Sequence, residues 1–124
     1  MKLLPAIIIG TLLMLFNPPQ NEVPANGTYT YEVVFAEWGG KSLRDEIIVV
    51  VEDGHAALLI SEDSNVVWMG AKPGDVWEEG TLRKHKSGVW IISKDKSDVD
   101  LDEIGGCTGG PIIIDFEKRT VEMC

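Results

Sequence analysis

The sequence predicts an all-β fold: a small antiparallel meander, forming a barrel or a sandwich of about eight short strands, after an N-terminal signal helix. From Thr28 onward, apolar residues alternate with polar ones or form short blocks, which is the pattern of strands. Turn-forming residues separate these blocks at close and fairly even spacing. Only residues 95–103 have the polar character of a single helical turn, so almost no helix is expected.

The first predicted strand covers residues 28–35. Tyr29, Tyr31, Val33 and Phe35 alternate with polar residues, so they share one face of an extended chain. We therefore expect a half-buried strand that ends before Trp38 and the two glycines after it.

The next strands form hairpins. Residues 47–51 are apolar at every position, which predicts a central strand covered on both faces. Asp53 and Gly54 supply a hairpin turn, and residues 56–60 return beside the central strand. Further strands are predicted at residues 66–69, 76–86, 89–94, 111–116 and 120–124.

The N-terminus has the pattern of a secretory signal. Lys2 is the only charged residue before Glu22, and an apolar run extends from Leu3 to Phe16. That run is shorter than the roughly 18 residues of a spanning helix, which favours a cleavable signal over an anchor. The best cleavage site follows Ala25, so we expect residues 1–25 to be the signal with its flank and residues 26–124 to be one domain. The alternative is an uncleaved segment that tethers the domain outside the membrane.

Cys107 and Cys124 are the only cysteines. In an exported chain two cysteines are expected to pair, because the compartment is oxidising. A bond between them would hold the last residue of the chain and contribute about 3 kcal/mol by closing the loop. The competing interpretation is a nucleophilic or metal-binding cysteine.

Export also predicts a periplasmic or extracellular location.

The formal net charge of −9 restricts the partners. An acidic surface repels nucleic acid and anionic lipid, so neither is an expected ligand. We expect a protein or small-molecule partner of unknown identity, and membrane contact only through an uncleaved signal segment.

Residues 106–111 have the sequence Gly-Cys-Thr-Gly-Gly-Pro, which is similar to a motif of a known enzyme family. The string resembles the Gly-Asp-Ser-Gly-Gly-Pro around the nucleophile of chymotrypsin-like serine proteases, with Thr108 in the place of the serine. The resemblance implies a histidine base and an orienting acid. His55 and His85 are the only histidines, and neither lies in such a context. We interpret the string as a glycine-rich turn that lets the disulfide and the strands approach closely.

Asp98, Asp100 and Asp102 give the alternating start of a calcium-binding loop. The remaining loop positions do not fit, because Glu103 stands where that loop needs glycine and Gly109 where it needs a bidentate acid. An irregular calcium site therefore stays open beside the simpler interpretation of a solvated acidic loop. A zinc site from the histidines and cysteines lacks short ligand spacing, and no cofactor is expected.

A binding surface is predicted around Trp38, Arg83 and His85. Trp38 lies beside Gly39 and Gly40 in a predicted loop, which favours partial exposure of its indole. Arg83 and His85 belong to a basic cluster, residues 83–86, within an otherwise acidic chain. Charges on an edge strand that discourage aggregation explain the same cluster.

The leading hypothesis for function is an exported module that binds a protein or a ligand without catalysis. It rests on the lack of a recognisable catalytic, cofactor or metal motif. An inhibitor of an extracellular hydrolase is one specific form of it. The alternative is a small secreted hydrolase, with Glu78, Glu79 and His85 as acid-base groups, or a lipocalin-like ligand carrier.

Overall fold

The computed structural model describes residues 22–64 and 70–124, which form a closed seven-stranded β-barrel in chain order. The strands are β1 (Gly27–Phe35), β2 (Lys41–Glu52), β3 (His55–Ile60), β4 (Val76–Lys84), β5 (Trp90–Ser93), β6 (Ile112–Asp115) and β7 (Thr120–Met123). Two short 3-10 helices, η1 (Ala36–Trp38) and η2 (Lys96–Asp100), lie between strands. The predicted all-β class is confirmed, and the barrel is the correct member of the predicted pair.

Strand direction differs from the prediction at one place. All consecutive strands pair in antiparallel fashion, as a meander requires. The barrel closes where β1 pairs with β7 in parallel, from Glu32 opposite Thr120 to Phe35 opposite Met123. An odd number of alternating strands places the first and last in the same direction, so closure must be parallel. We call this closure the seam.

Two of the predicted segments fall outside the described residues. The strand predicted at residues 66–69 belongs to the gap between the described ranges. Residues 1–21, which contain most of the predicted signal, also lie outside. Among the residues that the structure describes, no helix is long and apolar enough to cross a membrane.

The N-terminal flank that is described contacts the barrel. Val23 packs against the hydrophobic core, and the Tyr29 hydroxyl donates a hydrogen bond to the carbonyl of Ala25. Cleavage after Ala25 would remove both contacts.

The β2–β3 hairpin has the turn that its sequence predicts. Asp53 and Gly54 have φ angles of 48° and 79°, so both are left-handed, as a two-residue type I′ turn requires. Asn26 holds this turn: its Oδ1 accepts from the Asp53 N–H at 2.9 Å, and its Nδ2 donates to the Asp53 carboxylate at 3.0 Å. The turn therefore also fixes the start of β1.

A bulge interrupts the pairing of β1 with β2. The register steps from Val33 opposite Asp45 to Val34 opposite Ser42, so β2 has two residues more than β1 at this point. One of them, Arg44, has φ 59°, in the left-handed region.

The interior of the barrel is filled with side chains. Those of β2 that point inward, Ile47, Val49 and Val51, are at most 2% exposed, whereas Ile48 and Val50 are half-buried. The prediction that β2 is covered on both faces is therefore only half right, because its outer face keeps contact with solvent. The other interior residues are Tyr31, Val33, Ala56, Leu58, Leu82, Ile92, Ile114, Phe116, Val121 and Met123.

Residues 94–111 leave the barrel between β5 and β6, and we call them the excursion. All three residues from Ile91 to Ser93 are buried, so β5 is covered on both faces. The Ser93 hydroxyl lies 2.7 Å from the Asp95 carbonyl and 3.0 Å from the Asp98 carboxylate, which holds the excursion against the outside of β5. The predicted single helical turn in this polar segment is η2.

Candidate functional site

The predicted disulfide joins Cys107 of the excursion to Cys124 at the end of β7, with 4.8 Å between the Cα atoms. Both cysteines are exposed. The Glu37 carboxylate lies 3.3 Å from the Cys107 sulfur and 3.5 Å from the Cys124 sulfur. These three residues are the only described group whose ligand atoms lie as close together as a metal site needs. Because the sulfurs are bonded to each other, they offer no thiolate to an ion.

The protease-like string forms a turn, as expected. The Thr108 hydroxyl donates to the Gly105 carbonyl at 2.7 Å and accepts from the Gly110 N–H at 3.1 Å. Gly105 has φ 65°, and a Cβ there would lie only 2.4 Å from Cδ1 of Ile113. Position 105 needs glycine because of both its backbone conformation and the lack of space for a side chain. The Thr108 hydroxyl forms its hydrogen bonds within the turn.

His85 does not belong to an exposed surface. Its side chain is 5% exposed, Nδ1 accepts from the Ser87 N–H at 3.1 Å, and Nε2 lies 2.6 Å from the Leu101 carbonyl. These bonds assign the proton to Nε2, which then donates to Leu101. The excursion covers the imidazole of His85, so the imidazole does not face solvent.

The guanidinium of the half-buried Arg83 contacts β5. Its Nη1 donates to the Ser93 hydroxyl at 2.9 Å, so the guanidinium helps to hold the buried end of β5. Trp38 ends η1, and its side chain lies outside the described part of the structure. The predicted surface of Trp38, Arg83 and His85 is thus not assembled by the described side chains.

The acidic residues of the excursion have separate contacts. Burial opposes ionisation of Asp98, but hydrogen bonds from the backbone N–H groups of Lys94 and Asp95 and from Ser93 outweigh it and lower the pKa of Asp98. Asp102 pairs with Lys86 at 2.8 Å, and this contact lowers the pKa of Asp102. Within the described residues, Asp98, Asp100 and Asp102 do not converge on one point as calcium ligands would.

The acid-base groups of the alternative hypothesis have different partners. Glu78 pairs with Lys94 at 2.6 Å, and Glu79 lies 3.6 Å from His55. His85 is bonded to Ser87 and Leu101. The arrangement therefore does not present these three groups as one catalytic set.

A surface cleft of about 410 Å³ lies next to the seam, where β1, the β2 bulge and the β6–β7 turn meet. We call it the seam cleft. Its lining residues are Thr30, Tyr31, Glu32, Arg44, Asp45, Glu46, Lys118 and Arg119. Sequence reasoning did not single out any of them as a site, because they come from three separate segments and form no motif.

The two arginines of the seam cleft have the same unusual backbone. Arg44 has φ 59° in the bulge, and Arg119 has φ 57° in the β6–β7 turn. Left-handed conformation is disfavoured for residues with a long side chain and is common for glycine and asparagine. Arg44, Arg119 and Asp53 are the described non-glycine residues with positive φ, and the two arginines both line this cleft.

Tyr31 forms the floor of the seam cleft and is only 4% exposed. Burial raises the pKa of its phenol, and the positive charge of Arg119 opposes this shift, so the guanidinium acts on the hydroxyl. In the described part of the chain this hydroxyl makes no hydrogen bond, although every fully enclosed side-chain polar atom has a partner there. The hydroxyl is therefore not fully enclosed. Tyr31 lines the seam cleft and, with Arg119, the adjoining cleft around Phe116.

The charged side chains of the seam cleft form no close ion pairs with each other among the described residues. Among described residues, ion pairs within 4.0 Å involve His55, Lys86 and Lys94, and none involves Arg44, Lys118 or Arg119. Asp45 differs, since it is 1% exposed and its carboxylate accepts from the Ser64 hydroxyl at 2.9 Å.

The chain has no match among protein-family models, curated proteins or solved structures.

Proposed function

We propose that the protein is an exported binding module that contacts its partner through the outside of the barrel. The observation that supports this most directly is the filled interior. Side chains of all seven strands meet inside, and Val33, Ile47, Val49, Leu58, Ile114 and Val121 have no exposed surface. A barrel of this size with a packed core has no room for a ligand within it.

Three properties support export. The Cys107–Cys124 disulfide fits an oxidising compartment, the sequence begins with the pattern of a secretory signal, and the net charge of −9 suits a solvated protein. The finer assignment to the periplasm or the extracellular medium belongs to this proposal.

A rigid outer surface is what a binding module needs. The disulfide links the excursion to the seam, and the barrel has no unpaired edge among its seven strands. Surface groups held in place before binding lose little conformational entropy on association, which strengthens binding. Inhibition of an extracellular hydrolase is one form that such binding would take, and it stays a prediction.

Affinity capture tests the proposed function. The oxidised protein is immobilised and exposed to the extracellular fraction of its own host, and a reduced and alkylated sample of the Leu58→Ala variant, which lacks both the disulfide and a core side chain, serves as the unfolded control. We expect one partner to be retained in stoichiometric amount by the folded protein alone. Equal retention by both samples, or none by either, would contradict the proposal.

Export is tested separately by the intact mass of the protein recovered from outside the cytoplasm. A mass that lacks the N-terminal segment, and that increases by two thiol hydrogens on reduction, is expected. Recovery of the full-length chain from the cytoplasm with free thiols would refute export. The result of the capture experiment would still stand, because it does not depend on where the protein is located.

A further inference from the structure

The seam cleft contains charged groups of both signs that have no partner of their own. The cations are Arg44, Lys118 and Arg119, and the accessible acids are Glu32 and Glu46. Among described residues, none of these five side chains forms an ion pair or a side-chain hydrogen bond. Charges that lie in one cleft without compensating each other leave their interactions available to a ligand.

We propose that the seam cleft binds a zwitterionic group, in which a carboxylate and a cationic nitrogen lie a few ångströms apart. A free amino acid has this chemistry, and so do adjacent acidic and basic residues of a peptide. The inference rests on the proposed function and names the chemistry that the partner presents.

The cationic groups of the cleft suit a carboxylate. A guanidinium presents paired N–H donors that match the two carboxylate oxygens, and Arg44 and Arg119 each bring one. The Tyr31 hydroxyl adds a neutral donor at the floor. A hydroxyl in a residue that is 4% exposed is expected to find a hydrogen-bond partner, and a ligand carboxylate supplies it.

The acidic groups of the cleft suit a cation. Glu32 and Glu46 face each other directly across β1 and β2. Like charges in this position destabilise a sheet unless a counter-charge lies near. Arg44, Lys118 and Arg119 line the same cleft, but none of them forms an ion pair with either carboxylate. A ligand ammonium or guanidinium would supply a direct contact, and the two carboxylates disfavour a phosphate dianion.

The backbone gives an independent reason to regard the arginines as functional. Glycine or asparagine would adopt the conformations of residues 44 and 119 at less cost, yet both positions hold arginine. Disfavoured backbone conformations occur preferentially at functional sites, and these two border one cleft.

Binding is measured by chemical-shift titration of the oxidised full chain with four probes. Glutamine and a blocked Glu-Lys dipeptide carry the zwitterion in free and peptide form, and acetate and methylammonium carry one charge each. We expect saturable shifts of seam-cleft residues with at least one zwitterion, and about tenfold weaker binding of acetate and methylammonium. The stronger of the two zwitterions distinguishes a free amino acid from a peptide.

Arg119→Asn and Arg44→Asn are the decisive variants. Asparagine tolerates the left-handed backbone better than arginine, so the urea midpoint should stay constant or rise, while zwitterion binding weakens about tenfold. Tyr31→Phe and Glu32→Gln should also weaken binding. Lys96→Gln in η2 and Tyr29→Phe, whose hydroxyl bonds to Ala25, are matched controls that should bind normally.

Three results would overturn the inference: no saturable shift with any probe, binding that survives in both arginine variants, or acetate that binds as tightly as the zwitterions. The capture experiment separates this failure from that of the proposed function. A partner captured equally by wild type and by Arg119→Asn would preserve the binding module and place its contact on another surface.

Discussion

The wall formed by β1, β2 and β3 and the excursion over β5 are stabilised by different interactions. In the wall, two adjacent hairpins bury apolar side chains at alternate positions, and long ladders satisfy the backbone. In the excursion, stability comes from η2 and its capping box, a buried histidine, positive-φ glycines and the disulfide. The fold of the wall therefore follows from hydrophobic periodicity, whereas the fold of the excursion depends on polar contacts between residues that are distant in the sequence.

The polar contacts of the excursion converge on the β4–β5 hairpin. His85 contacts Leu101, the Lys86 N–H donates to the Val99 carbonyl at 2.9 Å, and Asp98 accepts from Lys94 and Ser93. The bonds of His85, Lys86 and Ser93 join the excursion to β5 or to the turn before it, whereas the bond from Lys94 lies within the excursion. The excursion is therefore expected to separate from the barrel without unfolding the wall.

The largest effect is expected from Leu58→Ala in the wall. Leu58 has no exposed surface, so truncation leaves a cavity and lowers the free energy of unfolding by about 4 kcal/mol. Leu59→Ala, at a half-buried neighbouring position, is the control and should cost about 1 kcal/mol. Urea denaturation measures both. Equal losses of unfolding free energy in the two variants would show that the stability of the wall does not depend on its inward-facing side chains.

Removal of the disulfide should have the next largest effect. The double variant Cys107→Ser and Cys124→Ser frees two residues 17 positions apart, and a loss of about 3 kcal/mol is expected. Hydrogen exchange should accelerate in residues 94–111 while the amides of β2 and β3 remain protected. Uniform acceleration over the whole barrel would refute the independence of the two regions.

A smaller effect is expected for Asp98→Asn. The amide oxygen accepts fewer and weaker bonds than the carboxylate, so a loss of about 1 kcal/mol near neutral pH is expected. Asp100→Asn is a matched control, because the side chain of the exposed Asp100 forms no hydrogen bond or ion pair with the described residues.

The same pair of variants tests the pH dependence. The pKa of Asp98 is lower in the folded protein than the ordinary aspartate value of 3.8, so its contribution is complete above that value. It should disappear as the pH falls through the lowered folded pKa. The stability difference between wild type and Asp98→Asn, measured from neutral pH down to about pH 2, should therefore shrink in acid. A constant difference would contradict ionisation as its source.

The smallest effect is expected for Lys86→Ala. The Lys86–Asp102 pair is short at 2.8 Å but lies in solvent, where an ion pair adds little to stability. The urea midpoint should not change measurably. A clear decrease would mean that ion pairs help to hold the excursion, beside the buried histidine and the disulfide.

Much of the barrel could be predicted from the sequence because its strands bury one face and alternate. The ends of the described strands agree with the prediction to within two residues, as for residues 28–35 and β1, except at the start of β2. That strand begins at Lys41, six residues before the predicted start at residue 47. In the second half, the strand predicted at residues 76–86 ends at Lys84, because the chain then turns and the excursion covers His85. Burial of a polar residue by a distant loop leaves no periodic pattern.

The seam cleft could not be predicted for a related reason. Arg44 and Arg119 are far apart in the chain and become neighbours only through closure of β1 on β7. Their left-handed conformations come from a bulge and a turn whose positions depend on strand register. By contrast, the single pair of cysteines in a chain with a signal pattern was enough to predict the disulfide.

The sequence by itself determined the all-β class, the positions of most strands and the pairing of Cys107 with Cys124. The first two properties depend on local alternation of apolar and polar residues and on turn residues. The disulfide follows because two cysteines can pair in only one way. The tertiary structure alone decided the parallel seam, the burial of His85 and the gathering of unpaired charges in one cleft. Those depend on which distant segments meet, and that is set by barrel closure and strand register rather than by any local stretch of sequence.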